Sequence, residues 1–152
     1  MEDIKLNCEF CGDKRCLVNG VVQGDKCPKI ALWKEGATIQ SFLEEAVVDD
    51  PTALVERLTV INSYMARTGY LLAQAIQLQE ITTANVFIAK GADIQKYPAS
   101  IQKNFINAMT SDVNVIVKLF ERQNRALVHQ GENIRTQISF AKQDLALQRQ
   151  GY

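Results

Sequence analysis

Two groups of residues in this chain have the types and spacing to do chemistry. The first is Cys8-x2-Cys11, then Cys16, then Cys27-Pro28, and it holds all four cysteines. Four thiolates can close a tetrahedral zinc site; such a site has no open coordination position and serves structure rather than catalysis. The spacing matches neither common ferredoxin pattern, which argues against an iron–sulfur cluster. A single C-x2-C pair with its second half spread out also fits four reduced thiols packing as small hydrophobes. The second group is the run Arg122-Gln-Asn124-Arg125-Ala-Leu-Val-His129-Gln130-Gly-Glu-Asn-Ile-Arg135-Thr136. In a helix, Arg125, His129, Glu132 and Thr136 share one face. Arginines, an imidazole and amides on one face can grip a phosphate or carboxylate. They can equally form a hydrogen-bond network between subunits, or a plain solvated face with an Arg–Glu pair. His129 is the single histidine. With no cysteine near it in sequence and no serine placed as a partner, a nucleophilic dyad has little support, and an enzyme is not expected.

The elements that must position these residues are mostly helical. Pro98 to Gln150 reads as one long helix with a coiled-coil-like seam at Phe105, Met109, Val113, Ile116, Phe120, Leu127, Ile134, Ile138, Ala141 and Leu145. Gln123 and Gln130 occupy two seam positions between them. A polar line of Lys118, Arg122, Arg125, His129, Glu132 and Thr136 runs beside the seam. Pro51 to about Lys90 reads as a second long helix, with Leu54, Leu58, Ile61, Met65, Leu72, Ala75 and Gln79 on its seam. Asp50 and Pro51 supply its N-cap and first position. Lys90-Gly91 reads as its C-terminal signal. Lengths on the order of 60 and 75 Å follow from the helical rise. A short link from Gly91 to Tyr97 makes the pair antiparallel. Gly69 and Gly131 lower helix propensity and mark either kinks or close approaches; for Gly69 the expectation is contact with the partner helix.

Ahead of the hairpin, Thr38 is expected to cap a short helix, Ile39 to Val48. Residues 1–36 form a separate piece ended by Trp33 and Gly36, with Trp33 docking it onto the helices. Its Asn19-Gly20, set between short β-branched runs, is a hairpin signal. A small cysteine-rich β-ribbon follows, too small to bury a core and dependent on zinc for folding energy. The expected organisation is therefore a ribbon over 1–36 and a helical hairpin over 37–152, mainly α.

Composition narrows the function classes. The 152 residues carry 17 Lys plus Arg against 17 Asp plus Glu, so no overall positive charge points to nucleic acid or anionic lipid. A local basic face is still compatible. The first residues lack a signal-peptide pattern, and no apolar run approaches the ~20 residues of a membrane span. The expectation is a cytoplasmic protein without a membrane partner.

The runs Tyr64-Met-Ala-Arg67-Thr-Gly69-Tyr-Leu-Leu-Ala73 and Glu121-Arg-Gln-Asn124-Arg125-Ala-Leu-Val-His129-Gln130, continuing to Arg135-Thr-Gln-Ile-Ser139-Phe-Ala-Lys142, resemble short motifs in small helical proteins encoded by phages and prophages. The resemblance covers roughly residues 60–145 and carries no activity with it. It implies a mobile-element setting and a cluster of Arg67, Asn124, Arg125, His129, Gln130 and Arg135. Reflection of the hairpin about residue 94 independently brings 67 level with the 120s.

A two-helix hairpin has two apolar flanks, and a short helix covers only part of one. A homo-oligomer is expected, with Gln123 and Gln130 setting register. The leading expectation for function is a non-enzymatic, oligomeric viral interaction protein of phage type, such as a DNA-binding or other nucleic-acid-associated accessory factor. The alternative is a binder of a small anion, a nucleotide or host-defence messenger, held at subunit interfaces by Arg67, Arg125 and Arg135.

Overall fold

The structure, a computed structural model, describes residues 17–18, 21–22, 27–47 and 49–151. It is mainly helical. Four helices are described: α1 (Pro28–Glu44), α2 (Pro51–Ile94), α3 (Ala99–Met109) and α4 (Ser111–Gln150). Backbone pairing joins Leu17–Val18 to Val21–Val22 antiparallel. Cys8, Cys11 and Cys16 lie outside the described residues, as does the Asn19-Gly20 turn, while residues 28–36, expected within the ribbon, belong to α1.

α1 starts earlier than the sequence suggests. Cys27 is its N-cap residue and Pro28 its first position, where a missing N–H costs nothing. Thr38 is therefore interior, and its hydroxyl donates back to the Lys34 carbonyl at 3.1 Å instead of capping. Gly36 does not end an element either. It is buried inside α1, and a Cβ there would lie 2.7 Å from Leu119 Cδ2. Gly36 marks the closest approach of α1 to α4. The helix stops at Glu44, so Ala46 and Val47 lie beyond it and are exposed.

α2 begins as expected, with the Asp50 carboxylate accepting from the Ala53 N–H at 2.9 Å. It runs through Gly91 to Ile94, so Lys90-Gly91 is not its end. The single long helix expected from Pro98 is two helices broken at Thr110. Thr110-Ser111-Asp112 is a cluster of weak helix formers, and Thr110 leaves helical geometry at φ −106°, ψ 13°. α4 restarts with Asp112 in its first turn, where a carboxylate suits the positive end of the helix.

α2 and α4 run antiparallel. Gly131 lies against Ile61 and Leu58, while Gln79 bonds Asn114 at 2.6 Å. α1 packs into this hairpin, so the core is a three-helix one. It joins Leu32 and Ile39 of α1, Leu54, Ile61, Leu71, Ala75 and Leu78 of α2, and Val113, Ile116, Phe120, Leu127 and Ile134 of α4. Trp33, an α1 residue, packs against it. The buried stripe of α2 is wider than a two-helix seam because it faces two partners. Leu58, Met65 and Leu72 are only half-buried, whereas Thr68 and Thr82 are buried. Their hydroxyls are satisfied by carbonyls four residues back, Tyr64 and Leu78.

Candidate functional site

The long polar line of α4 is placed by the burial of its opposite side. Val113, Ile116, Phe120, Gln123, Leu127 and Ile134 face the core. Lys118, Arg122, Arg125, His129, Glu132 and Thr136 therefore face outward, and all six are exposed. His129 Nδ1 sits 3.6 Å from Glu132 one turn on, with three quarters of its side chain exposed. Among the described residues, Arg122, Arg125 and Arg135 have no side-chain hydrogen bond or ion pair. Glu132 is the partner of this exposed imidazole, and among the described residues no serine, threonine or cysteine side chain hydrogen-bonds to it.

Arg67 is elsewhere. Its guanidinium reaches from α2 to Glu35 of α1 in a fork, Nη2 to one carboxylate oxygen and Nε to the other. That hydrogen bond, and then the carboxylate charge, hold Arg67 above its ordinary pKa, with burial opposing. The guanidinium also lies 5.6 Å from the Tyr70 ring centre. Arg67 and Glu35 stand at the rim of a cleft of about 450 Å³ between α1 and α2. Leu32, Leu71 and Leu78 form its floor, and Gln74 and Gln77 its polar edge. The cluster expected from Arg67, Asn124, Arg125, His129, Gln130 and Arg135 is thus divided within one chain. Arg67 serves the α1–α2 cleft, Arg122, Arg125 and His129 the outer face of α4, and Gln130 a third place. Asn124 is half-buried and Arg135 exposed.

That third place is a junction around Arg57, which the sequence reading passed over. Arg57 Nη2 donates to the Phe42 carbonyl at 2.6 Å and to Gln130 Oε1 at 3.3 Å. Nη1 donates to Glu45 at 3.3 Å. The guanidinium lies 4.2 Å from the centre of the Phe42 ring, which packs on Tyr64. One arginine thereby caps the last carbonyls of α1 and ties all three core helices together. An arginine at a half-buried helix position carries no local signal of this, because its partners are 12 to 73 residues away in sequence.

Two more polar contacts hold α1 on the hairpin. Lys29, almost fully buried, pairs with Asp112 at the start of α4. Gln123, buried on the seam, donates to the Gly36 carbonyl at 2.7 Å and toward Gln40 at 3.4 Å. Its Oε1 is buried without a partner. Gln123 and Gln130 therefore both act within the chain.

Gly69 is exposed, and a Cβ there would meet nothing within 4 Å. The expected contact of Gly69 with the partner helix is absent; Gly131 makes such a contact instead. Of the four candidate zinc ligands only Cys27 is described, a buried free thiol at the head of α1. No cluster of three or more metal-ligating side chains occurs among the described residues. No helix among them is long and apolar enough to cross a membrane. No protein family, curated protein or solved structure matches the chain.

Proposed function

We propose that this chain is a non-enzymatic, self-associating helical protein that contacts a partner through the outer face of α4. The observation that carries the reading is the exposed line Lys118, Arg122 and Arg125, opposite the buried seam and, among the described residues, without internal ion pairs; His129 beside them pairs with Glu132. Cations on a straight helix with free donors suit a polyanion, above all a nucleic-acid phosphate backbone. A phage or prophage accessory factor is the setting that the sequence motifs imply for such a protein. The cysteine piece belongs to the same proposal: Cys8, Cys11, Cys16 and Cys27 hold one structural zinc, and Cys27 is also the N-cap residue of α1.

Binding of a labelled DNA or RNA duplex across a salt series tests the polyanion reading. With about three phosphate contacts, the log–log salt slope should be about −3, and Arg122→Glu with Arg125→Glu should abolish binding. Binding that ignores both salt and these substitutions removes the reading.

A second reading is favoured by the α1–α2 cleft. An apolar floor with a guanidinium at its rim suits a small ligand with a flat body and an acidic group, such as a nucleotide. Arg125 and Arg135 would join Arg67 there only from a second chain. A saturable rise in melting temperature with nucleotide, lost in Arg67→Ala, would support it.

A further inference from the structure

We infer that a second copy of this chain packs antiparallel along the exposed side of α2, from Val55 to Phe87, about a two-fold axis level with Leu71. The inference rests on the self-associating reading above and names its contact.

Two sides of α2 are occupied within the chain. One faces α4 through Ile61 and Gln79. Another faces α1, where Arg67, Leu71, Gln74 and Leu78 line the cleft between the two helices. At 3.6 residues per turn, Gly69 and Ala73 lie roughly 160° around the helix from Arg67 and Leu71. They belong to a third side, turned away from α1. Gaps of three and four residues carry that side back to Val55 and forward to Phe87. Val55, Ile76 and Phe87 are large apolar side chains on it, exposed by 51%, 39% and 48%.

The pattern on this side is its own complement when reversed about Leu71. Gly69 falls level with Ala73, so the smallest residues meet at the centre. Ala66 falls level with Ile76, again small against large. Asn62 falls level with Glu80, an amide donor opposite a carboxylate. Toward the ends, Leu58 falls level with Ala84 and Val55 with Phe87. All of these residues are exposed except Leu58, which is half-buried. A two-fold axis sets up this correspondence between copies, because an isologous contact places residue i on j and j on i. A partner of another sequence would not require this side of α2 to match its own reverse. Charge agrees with the same axis. Residues 90–96, with Lys90 and Lys96 around Asp93, come level with residues 46–52 of the other copy, which hold Asp49 and Asp50 and no cation.

Near-antiparallel helices, as in a four-helix bundle, stay in contact along their length. The strip from Val55 to Phe87 is about 48 Å long at the helical rise, and with a helix width of about 10 Å the two copies together cover roughly 1,000 Å², the size at which specific interfaces begin. The dimer is therefore a concentration-dependent one. An alanine at position 69 still fits the centre of this contact, whereas a charged or long side chain at 73 does not.

Sedimentation velocity of the full chain over a concentration series tests this, with Ala73→Glu at the centre of the strip and Leu145→Glu, an exposed position on α4, as the control. Asn62→Glu, alone and together with Glu80→Lys, tests the pairing. All four side chains are exposed, so the core is undisturbed; equal melting curves at low concentration confirm it. The expected result is a wild type that shifts from monomer to dimer. Ala73→Glu should move that transition at least tenfold higher in concentration, and Leu145→Glu should leave it in place. Asn62→Glu should also weaken the dimer, and adding Glu80→Lys should restore it, since the two positions are level between copies but about 27 Å apart within one helix. A wild type that stays monomeric throughout overturns both this surface and the self-association reading. A wild type that associates equally with Ala73→Glu overturns the surface alone. Failure of Glu80→Lys to rescue Asn62→Glu overturns the antiparallel pairing.

Discussion

At the scale of single residues, the polar groups of the core act more as spacers and ties than as reagents. Gln123 lies on an apolar seam and uses its amide N–H to hold the Gly36 carbonyl, while its own oxygen is buried unpaired. Truncation leaves a cavity and strips the carbonyl of its donor, so Gln123→Ala should cost about 2 kcal/mol in denaturant unfolding. Gln123→Met fills the space and removes the orphan oxygen, and should cost clearly less. The exposed Gly69 offers the reverse case. Nothing lies within reach of an added methyl, so Gly69→Ala should stabilise the chain by up to about 1 kcal/mol through helix propensity. A loss of stability instead would show that a neighbour occupies that face. Residue type alone located Gln123 on the seam but not its partner, which is 87 positions away. It also misplaced the close-packed glycine, because Gly69 and Gly131 look alike as interruptions of a helical pattern. Only the opposing Ile61 and Leu58 distinguish them.

At the scale of elements, some local signals hold and others do not: Asp50 caps α2, but Thr38 is interior to α1 and Lys90-Gly91 is interior to α2. Apolar periodicity gives α2 and α4, and Asp50-Pro51 gives the start of α2, since a cap is a contact over three residues. The head of α1 was hidden because Cys27-Pro28 serves two readings, the end of a cysteine motif and the first turn of a helix. The break at Thr110 was hidden because the apolar spacing of Met109 and Val113 continues across it. The element that depends most on distant contacts is α1. It is held by Lys29 to Asp112 at one end and by Arg57 at the other. Lys29→Met leaves the Asp112 carboxylate in a poorly hydrated place and should destabilise by about 3 kcal/mol. In a double-mutant cycle with Asp112→Asn, the double variant should cost less than the sum of the two single changes. Arg57→Lys should recover little of the loss seen in Arg57→Ala, since an ammonium cannot fork between the Phe42 carbonyl and Gln130 while stacked on a ring. Equal stability of the lysine variant and wild type would remove the junction from its central place.

At the scale of the whole molecule, the balanced net charge is matched on the outer side of α4, where Glu121 and Glu132 stand exposed among Lys118, Arg122 and Arg125. α4 turns these charges outward and its apolar seam inward. The core is a three-helix one, not that of a two-helix hairpin, because α1 reaches back to Pro28. That covers one flank of the hairpin. Cys27, one of the candidate zinc ligands, is also the N-cap residue of α1. If it holds zinc, chelation should lower the melting temperature of the helical bundle, not only release metal. On the proposed reading, the chain works as an assembled, zinc-bearing helical body. Native mass spectrometry of the purified protein tests it in one spectrum. The prediction is a concentration-dependent dimer with one zinc per chain and no covalent adduct. A metal-free monomer at every concentration would contradict it.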